Sequence, residues 1–201
     1  MNVLLRITAY IFHPLLMPLL GVLCYYTITP RFVAPEFMWA KLYAIAILTV
    51  FTPVIVFFLL KNIGTVATLH LKQVSERKYP LMIQCLLVLL IINMIFKPYD
   101  DIELYYFFVG VLFTSLTALF LVMFKFKVSL HQMAIAGVTI FLIGLSIHFK
   151  VNALFAISLF FIINGLVAAS RLHTRSHTIT ELAFGFFIGA IPQFLMFGFW
   201  V

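Results

Sequence analysis

Charge is what this chain has least of. Only 9% of its 201 residues are Asp, Glu, Lys or Arg, and just six are acidic. A soluble domain carries about a quarter charged residues and is near half apolar. Here 65% of residues are hydrophobic and the mean hydropathy is +1.18. No soluble fold hides that much apolar surface, so the solvent must largely be lipid. The shortage of acids leaves a formal charge of +7 and a pI of about 9.6. The cations are scattered between apolar runs and make no continuous face, which excludes nucleic acid as a partner. Anionic lipid headgroups or a phosphorylated substrate suit that charge. Cysteine is scarce too. Cys24 and Cys85 both lie inside apolar runs and read as small core residues, not as a disulfide. Internal repeats and low-complexity tracts are lacking. The length suits one compact membrane domain, residues 1–201, with no room for a soluble one.

What the chain has in abundance is apolar runs. About twenty apolar residues cross a bilayer as a helix. Seven runs qualify, near 7–28, 40–60, 80–97, 104–124, 130–148, 151–169 and 180–201. The expected fold is therefore all-α, a polytopic bundle of about seven transmembrane helices. Pro14, Pro18, Pro53 and Pro192 fall inside runs and predict kinks. The first run lacks a small-x-small cleavage site and exceeds a usual signal-peptide core, so it reads as a mature helix. Asn93, Asn164 and Gln84 lie inside runs and suit interhelical hydrogen bonds. His13 suits an interhelical contact, and His148 a place at the far membrane boundary.

With seven spans, the connections 61–79, 125–129 and 170–179 share one membrane face with the N-terminus. That face carries Arg6, Lys61, Lys72, Arg77, Lys78, Lys125, Lys127, Arg171 and Arg175. The other carries Arg31, Lys41, Lys97 and Lys150, with Glu36, Asp100, Asp101 and Glu103. The positive-inside rule would make the first face cytoplasmic. Cations that bind an anion are not topology signals, however. Without Lys72, Arg77, Lys78, Arg171 and Arg175 the balance is even, so charge does not orient the chain.

The densest polar stretch is SRLHTRSHTITE, Ser170 to Glu181. His177 and Glu181 are four apart and share a face if the last helix begins near Ser176. A carboxylate there fixes one imidazole nitrogen and frees the other as a nucleophile. Arg171 and Arg175 offer guanidinium forks that match phosphate oxygens. Two other readings fit the stretch: a basic loop on lipid headgroups, and a metal stripe of His173, His177 and Glu181. Alternating arginines disfavour a dication and favour a phosphate. Ser129 and His131 open the fifth run beside Lys125 and Lys127, where a helix start favours an anion. Lys72, Arg77 and Lys78 precede the third run. Cationic clamps, a nucleophile and an acid are what phosphoryl transfer needs.

These three stretches resemble the motifs of the type-2 phosphatidic acid phosphatases, the lipid phosphate phosphatases. Their third motif is S-R, five residues, H, three residues, D. Here it is Ser170-Arg171, LHTRS, His177, TIT, Glu181, with Glu for Asp. A chance match in such a chain is on the order of one in several hundred. The second motif, P-S-G-H, is here Val128-Ser129-Leu130-His131. The first, K, six residues, R-P, is here Lys72, QVSERK, Tyr79-Pro80. The resemblance covers about residues 70–190, in the family's order. It implies a six-helix phosphatase core, about residues 40–201, plus one extra helix, with the active site at one membrane face.

It further implies an integral membrane phosphatase that hydrolyses a lipid phosphate or diphosphate through a phosphohistidine, without metal or other cofactor. His177 would attack, Glu181 orient it, and His131 protonate the leaving alcohol. Lys72, Arg77, Ser129 and Arg171 would hold the phosphoryl oxygens, with Lys78 and Arg175 in secondary roles. Family and size together imply a bacterial cytoplasmic membrane. The departures define the alternative. Leu130 narrows an approach that a glycine would leave open, Tyr79 removes a cation, and Glu181 lengthens the orienting arm. A chain with such changes could instead be a non-catalytic lipid-phosphate binder or a transporter-like bundle.

Overall fold

The computed structural model describes residues 2–65 and 73–201. Lys72 and His70 fall outside the described residues. All regular structure among the described residues is helical, as lipid requires: with no water to bond them, backbone groups must be satisfied within each segment. The helices are α1 Asn2–Ile11, α2 Met17–Ile28, α3 Pro35–Ala46, α4 Thr52–Asn62, α5 Lys78–Met94, α6 Ile102–Met123, α7 Leu130–His148, α8 Leu154–His173 and α9 Ile179–Trp200. A π-turn, Ile47–Phe51, joins α3 to α4 as one 28-residue helix just before Pro53. Among the described residues, six helices are long and apolar enough to cross a membrane. The chain is thus a multi-pass membrane protein.

The first apolar run differs from expectation. It breaks in two instead of bending. Pro14 has no N–H to extend α1, and His13 takes an extended conformation there. The His13 Nδ1 accepts from the Leu15 N–H at 3.3 Å, which caps a short 3-10 turn, Pro14–Leu16, leading into α2. His13 lies beside His131 at the start of α7, and Arg31 beside His148 and Glu103 at the opposite end. So α2 traverses the bundle, and among the described residues seven segments run end to end. Helix α1 packs against α8, where the Ser170 hydroxyl donates to the Leu5 carbonyl.

Helix α7 is the axis. Its most apolar stretch is 61% buried, against 17% for Pro35–Asn62. It packs against α9 through Gly185 and Gly189, four residues apart. A Cβ at Gly189 would strike the Met133 carbonyl, and one at Gly185 would lie 2.9 Å from the Ser129 oxygen. Small residues at this spacing let helix backbones touch in lipid. Pro192 interrupts α9 without leaving a carbonyl stranded, because Thr114 of α6 donates to the Ile188 oxygen at 3.3 Å. Asn164 does bond between helices: it accepts from Gln132 at 2.9 Å and donates to Thr139 at 2.8 Å.

Candidate active site

The connection between α8 and α9 places His177. Helix α8 stops because Arg175 adopts a left-handed conformation, φ +50°. The Arg175 N–H then returns to the Leu172 carbonyl at 2.9 Å, and that of Ser176 to Arg171 at 3.0 Å. This is the paired closure usual at helix ends, with arginine where glycine is common. Thr178 caps α9, its hydroxyl accepting from the Glu181 N–H at 3.2 Å. Thr178 and Glu181 hold the positions of a capping box, in which the glutamate would reach back to the cap's own N–H. Here the carboxylate turns to His177 instead. Its Oε2 lies 2.6 Å from Nδ1. With Nδ1–H donating to the carboxylate, the Nε2 lone pair is the nucleophilic one.

The His177 side chain is nearly enclosed, at 6% exposed. Burial pushes its pKa down to about 4, and the Arg77 and Lys127 cations add to that. Glu181 opposes the shift through its hydrogen bond and charge. The ring is therefore neutral at pH 7. Arg77, itself buried in the 3-10 turn Ser75–Arg77, donates to the Val128 carbonyl at 2.9 Å. Lys127 donates to the Ser176 carbonyl at 2.6 Å, beside His177. Ser129, fully buried, caps α7: its hydroxyl accepts from the Gln132 N–H at 3.4 Å. Its own N–H reaches the Glu181 carbonyl at 3.3 Å, tying the start of α7 to that of α9.

Arg171 ends α8 with its Nε buried and without a partner among the described residues. Burial lowers the pKa of His13, and the nearby Arg171 charge lowers it further, which places that cation beside the two stacked-edge imidazoles. His131 sits in the first turn of α7, within electrostatic range of Arg171, His13 and His177. Its Nε2 donates to the Ala9 carbonyl of α1 at 3.2 Å, and the His13 ring meets it edge-on at 5.3 Å.

So Arg77, Ser129, His131, Arg171, His177 and Glu181, expected from three separate stretches, gather at one end of the bundle. Lys78 is exposed and lies over the Tyr79 ring. Arg175 is exposed and serves the turn. Lys72 is outside the described residues. The metal stripe does not form, because α8 ends at His173 and α9 begins at Ile179, so His173, His177 and Glu181 share no helix. From the sequence alone Lys127 is only a flanking cation and His13 only an interhelical contact. The KxK spacing beside Ser129 was the signal for the first. Nothing in the sequence linked His13 to His131. No family model, no curated protein and no solved structure matches this chain.

Proposed function

We propose that this chain is an integral membrane phosphatase that removes phosphate from a lipid phosphate or lipid diphosphate, and that it belongs to the type-2 phosphatidic acid phosphatases. The observation that carries the reading is the 2.6 Å pair of His177 Nδ1 and Glu181 Oε2, with Arg77 and Lys127 acting on the same ring. An oriented, neutral imidazole among cations is suited to attack on a phosphate.

In this mechanism Nε2 of His177 attacks phosphorus while the bond from phosphorus to the lipid oxygen breaks. His131, protonated once the negative charge of the phosphate sits beside it, gives its proton to that oxygen. The lipid leaves as an alcohol, or as a monophosphate from a diphosphate. Water then attacks the phosphohistidine and passes a proton back to His131. The P–N bond breaks, inorganic phosphate departs, and both imidazoles return to their starting states. Arg77, Arg171 and Lys127 neutralise the phosphoryl oxygens, and Ser129 bonds one of them. The lipid tail remains among the helices, and a bacterial cytoplasmic membrane is the proposed setting.

One observation favours a second reading, a lipid-phosphate binder without turnover: the His131 Nε2–H is already bonded to Ala9. The two separate in one screen. Phosphate release is measured in detergent over phosphatidic acid, phosphatidylglycerol phosphate and undecaprenyl diphosphate, with vanadate as a pentacoordinate mimic and His177→Ala as control. The phosphatase reading expects release that vanadate inhibits and the variant lacks. Binding of these lipids with no release by the parent protein selects the binder.

A further inference from the structure

Next to the site, between α7, α8 and α9, lies an apolar cavity of about 250 Å³. Ala168, Leu172, Ile179, Leu182 and Phe186 line it, with one polar residue, Gln132. Three of these follow site residues directly in the chain: Gln132 follows His131, Leu172 follows Arg171, and Leu182 follows Glu181. The cavity therefore lies at the end of the bundle that holds the site, lined by chain neighbours of its residues.

Gln132 is only 4% exposed, and its Oε1 has no hydrogen-bond partner among the described residues. The network fixes which amide atom this is. Asn164 Nδ2 donates to the Phe160 carbonyl at 2.8 Å, and a carbonyl can only accept. Asn164 Oδ1 must then be the acceptor facing Gln132, and Gln132 Nε2 its donor at 2.9 Å. The atom left over is an oxygen that can only accept. A buried acceptor without a donor is costly and rare, and on a residue that lines a cavity it can be satisfied by a ligand that donates.

We propose that this cavity is a substrate subsite and that Gln132 is its specificity-determining residue. The subsite takes the tail-proximal part of a lipid phosphate that carries a hydroxyl or amide N–H close to its phosphate. Gln132 Oε1 accepts that hydrogen, and the apolar walls hold the chain beyond it. The proposal rests on the phosphatase reading for the identity of the neighbouring phosphate site.

The test compares two probes of equal tail length: a monoacylglycerol phosphate with a free hydroxyl, and the same lipid with hydrogen in place of that hydroxyl. Phosphate release is followed as kcat/KM, and binding by calorimetry with the two non-hydrolysable phosphonates. The parent protein should favour the hydroxyl probe by roughly fivefold to tenfold, the worth of one net hydrogen bond. Gln132→Leu should bring that probe down to the level of its deoxy partner. Release without preference overturns the subsite and leaves the phosphatase. Preference in phosphonate binding with no release keeps the subsite and overturns the phosphatase. Equal binding of both phosphonates, or a preference intact in Gln132→Leu, overturns the subsite whatever the activity. The comparison in the parent protein decides even where the variant does not fold.

Discussion

Glu103 and Glu181 each stand in the first turn of a long helix, at opposite ends of the bundle, and each meets a histidine. Their surroundings differ. Glu103 is fully buried: its Oε1 lies 2.8 Å from Arg31 and 3.1 Å from His148, and its Oε2 accepts from Arg31 at 3.2 Å and from the Tyr25 hydroxyl at 3.4 Å. Nearby, Lys41 pairs with Asp101. Glu181 is partly exposed and holds His177. Arg77 and Lys127 stand around it, donating to the carbonyls of Val128 and Ser176, and the Glu181 charge acts on Arg77 as well. One carboxylate consumes the cation beside it and closes a joint between α2, α6 and α7. The other aims an imidazole on which Arg77 and Lys127 also act. The same residue pair thus serves as a clasp at one end and as a reactive centre at the other. What distinguishes them is enclosure: Glu103 is sealed among its partners, whereas Glu181 is partly exposed.

The largest effect that separates the two ends is the loss of each histidine. His177→Ala should lower phosphate release by at least roughly a thousandfold, since nothing replaces the nucleophile, with the melting temperature in detergent nearly unchanged. His148→Ala should do the reverse: a lower melting temperature and unchanged release per folded molecule. If the two variants have the same profile, the contrast between clasp and centre is wrong.

Next in size is Glu103→Ala. Removing one partner of a buried ion pair costs about 3–5 kcal/mol when the other charge is stranded. The Arg31 side chain is 47% exposed and regains water, so about 2–3 kcal/mol is expected. Chemical denaturation in mixed micelles measures it. Glu181→Gln should cost little stability but slow release by about a hundredfold, because the amide no longer fixes the Nδ1–H tautomer. Glu181→Asp tests the departure from the family pattern directly. The present arm already reaches 2.6 Å, so an aspartate falls short by about a methylene, and a drop of about tenfold is expected.

The contrast also explains what could be read from the sequence. His177 and Glu181 were legible because their contact is local, one turn apart, and needs only a helix start at the right place. The spans were legible because each apolar run is continuous. The Glu103 clasp was not legible. Its partners lie 72 and 78 residues away in the chain for Arg31 and Tyr25, and only the packing of α2 beside α6 and α7 unites them. His148 looked like a boundary residue for the same reason. The break before Pro14 reads as a kink from the sequence, because a proline inside an apolar run usually bends a helix. That the chain instead turns extended at His13 depends on packing of α1 against α8. Gln132 drew no notice, since an unpaired acceptor is a property of the fold and not of spacing.

The smallest effect is the one most specific to the site. In the folded protein His177 is held at about 4, against 6.5 for an ordinary imidazole. The unfolded chain therefore binds a proton in a window where the folded chain does not. The stability contributed by the neutral ring is complete above about pH 6.5 and is lost as pH falls toward 4. Activity should follow the same group, since attack needs the neutral ring, so the acid limb of kcat/KM in the parent protein should lie near pH 4. Burial is the main cause and survives single changes, so substitutions move the limb only part of the way. Lys127→Met removes a cation that disfavours protonation and should shift the limb upward. Glu181→Gln removes the charge that favours it and should shift the limb downward. Opposite shifts from two neighbours of one ring are not expected of a general loss of structure. A limb that stays near 6.5 in all three proteins would mean that the catalytic imidazole is not His177 in this setting.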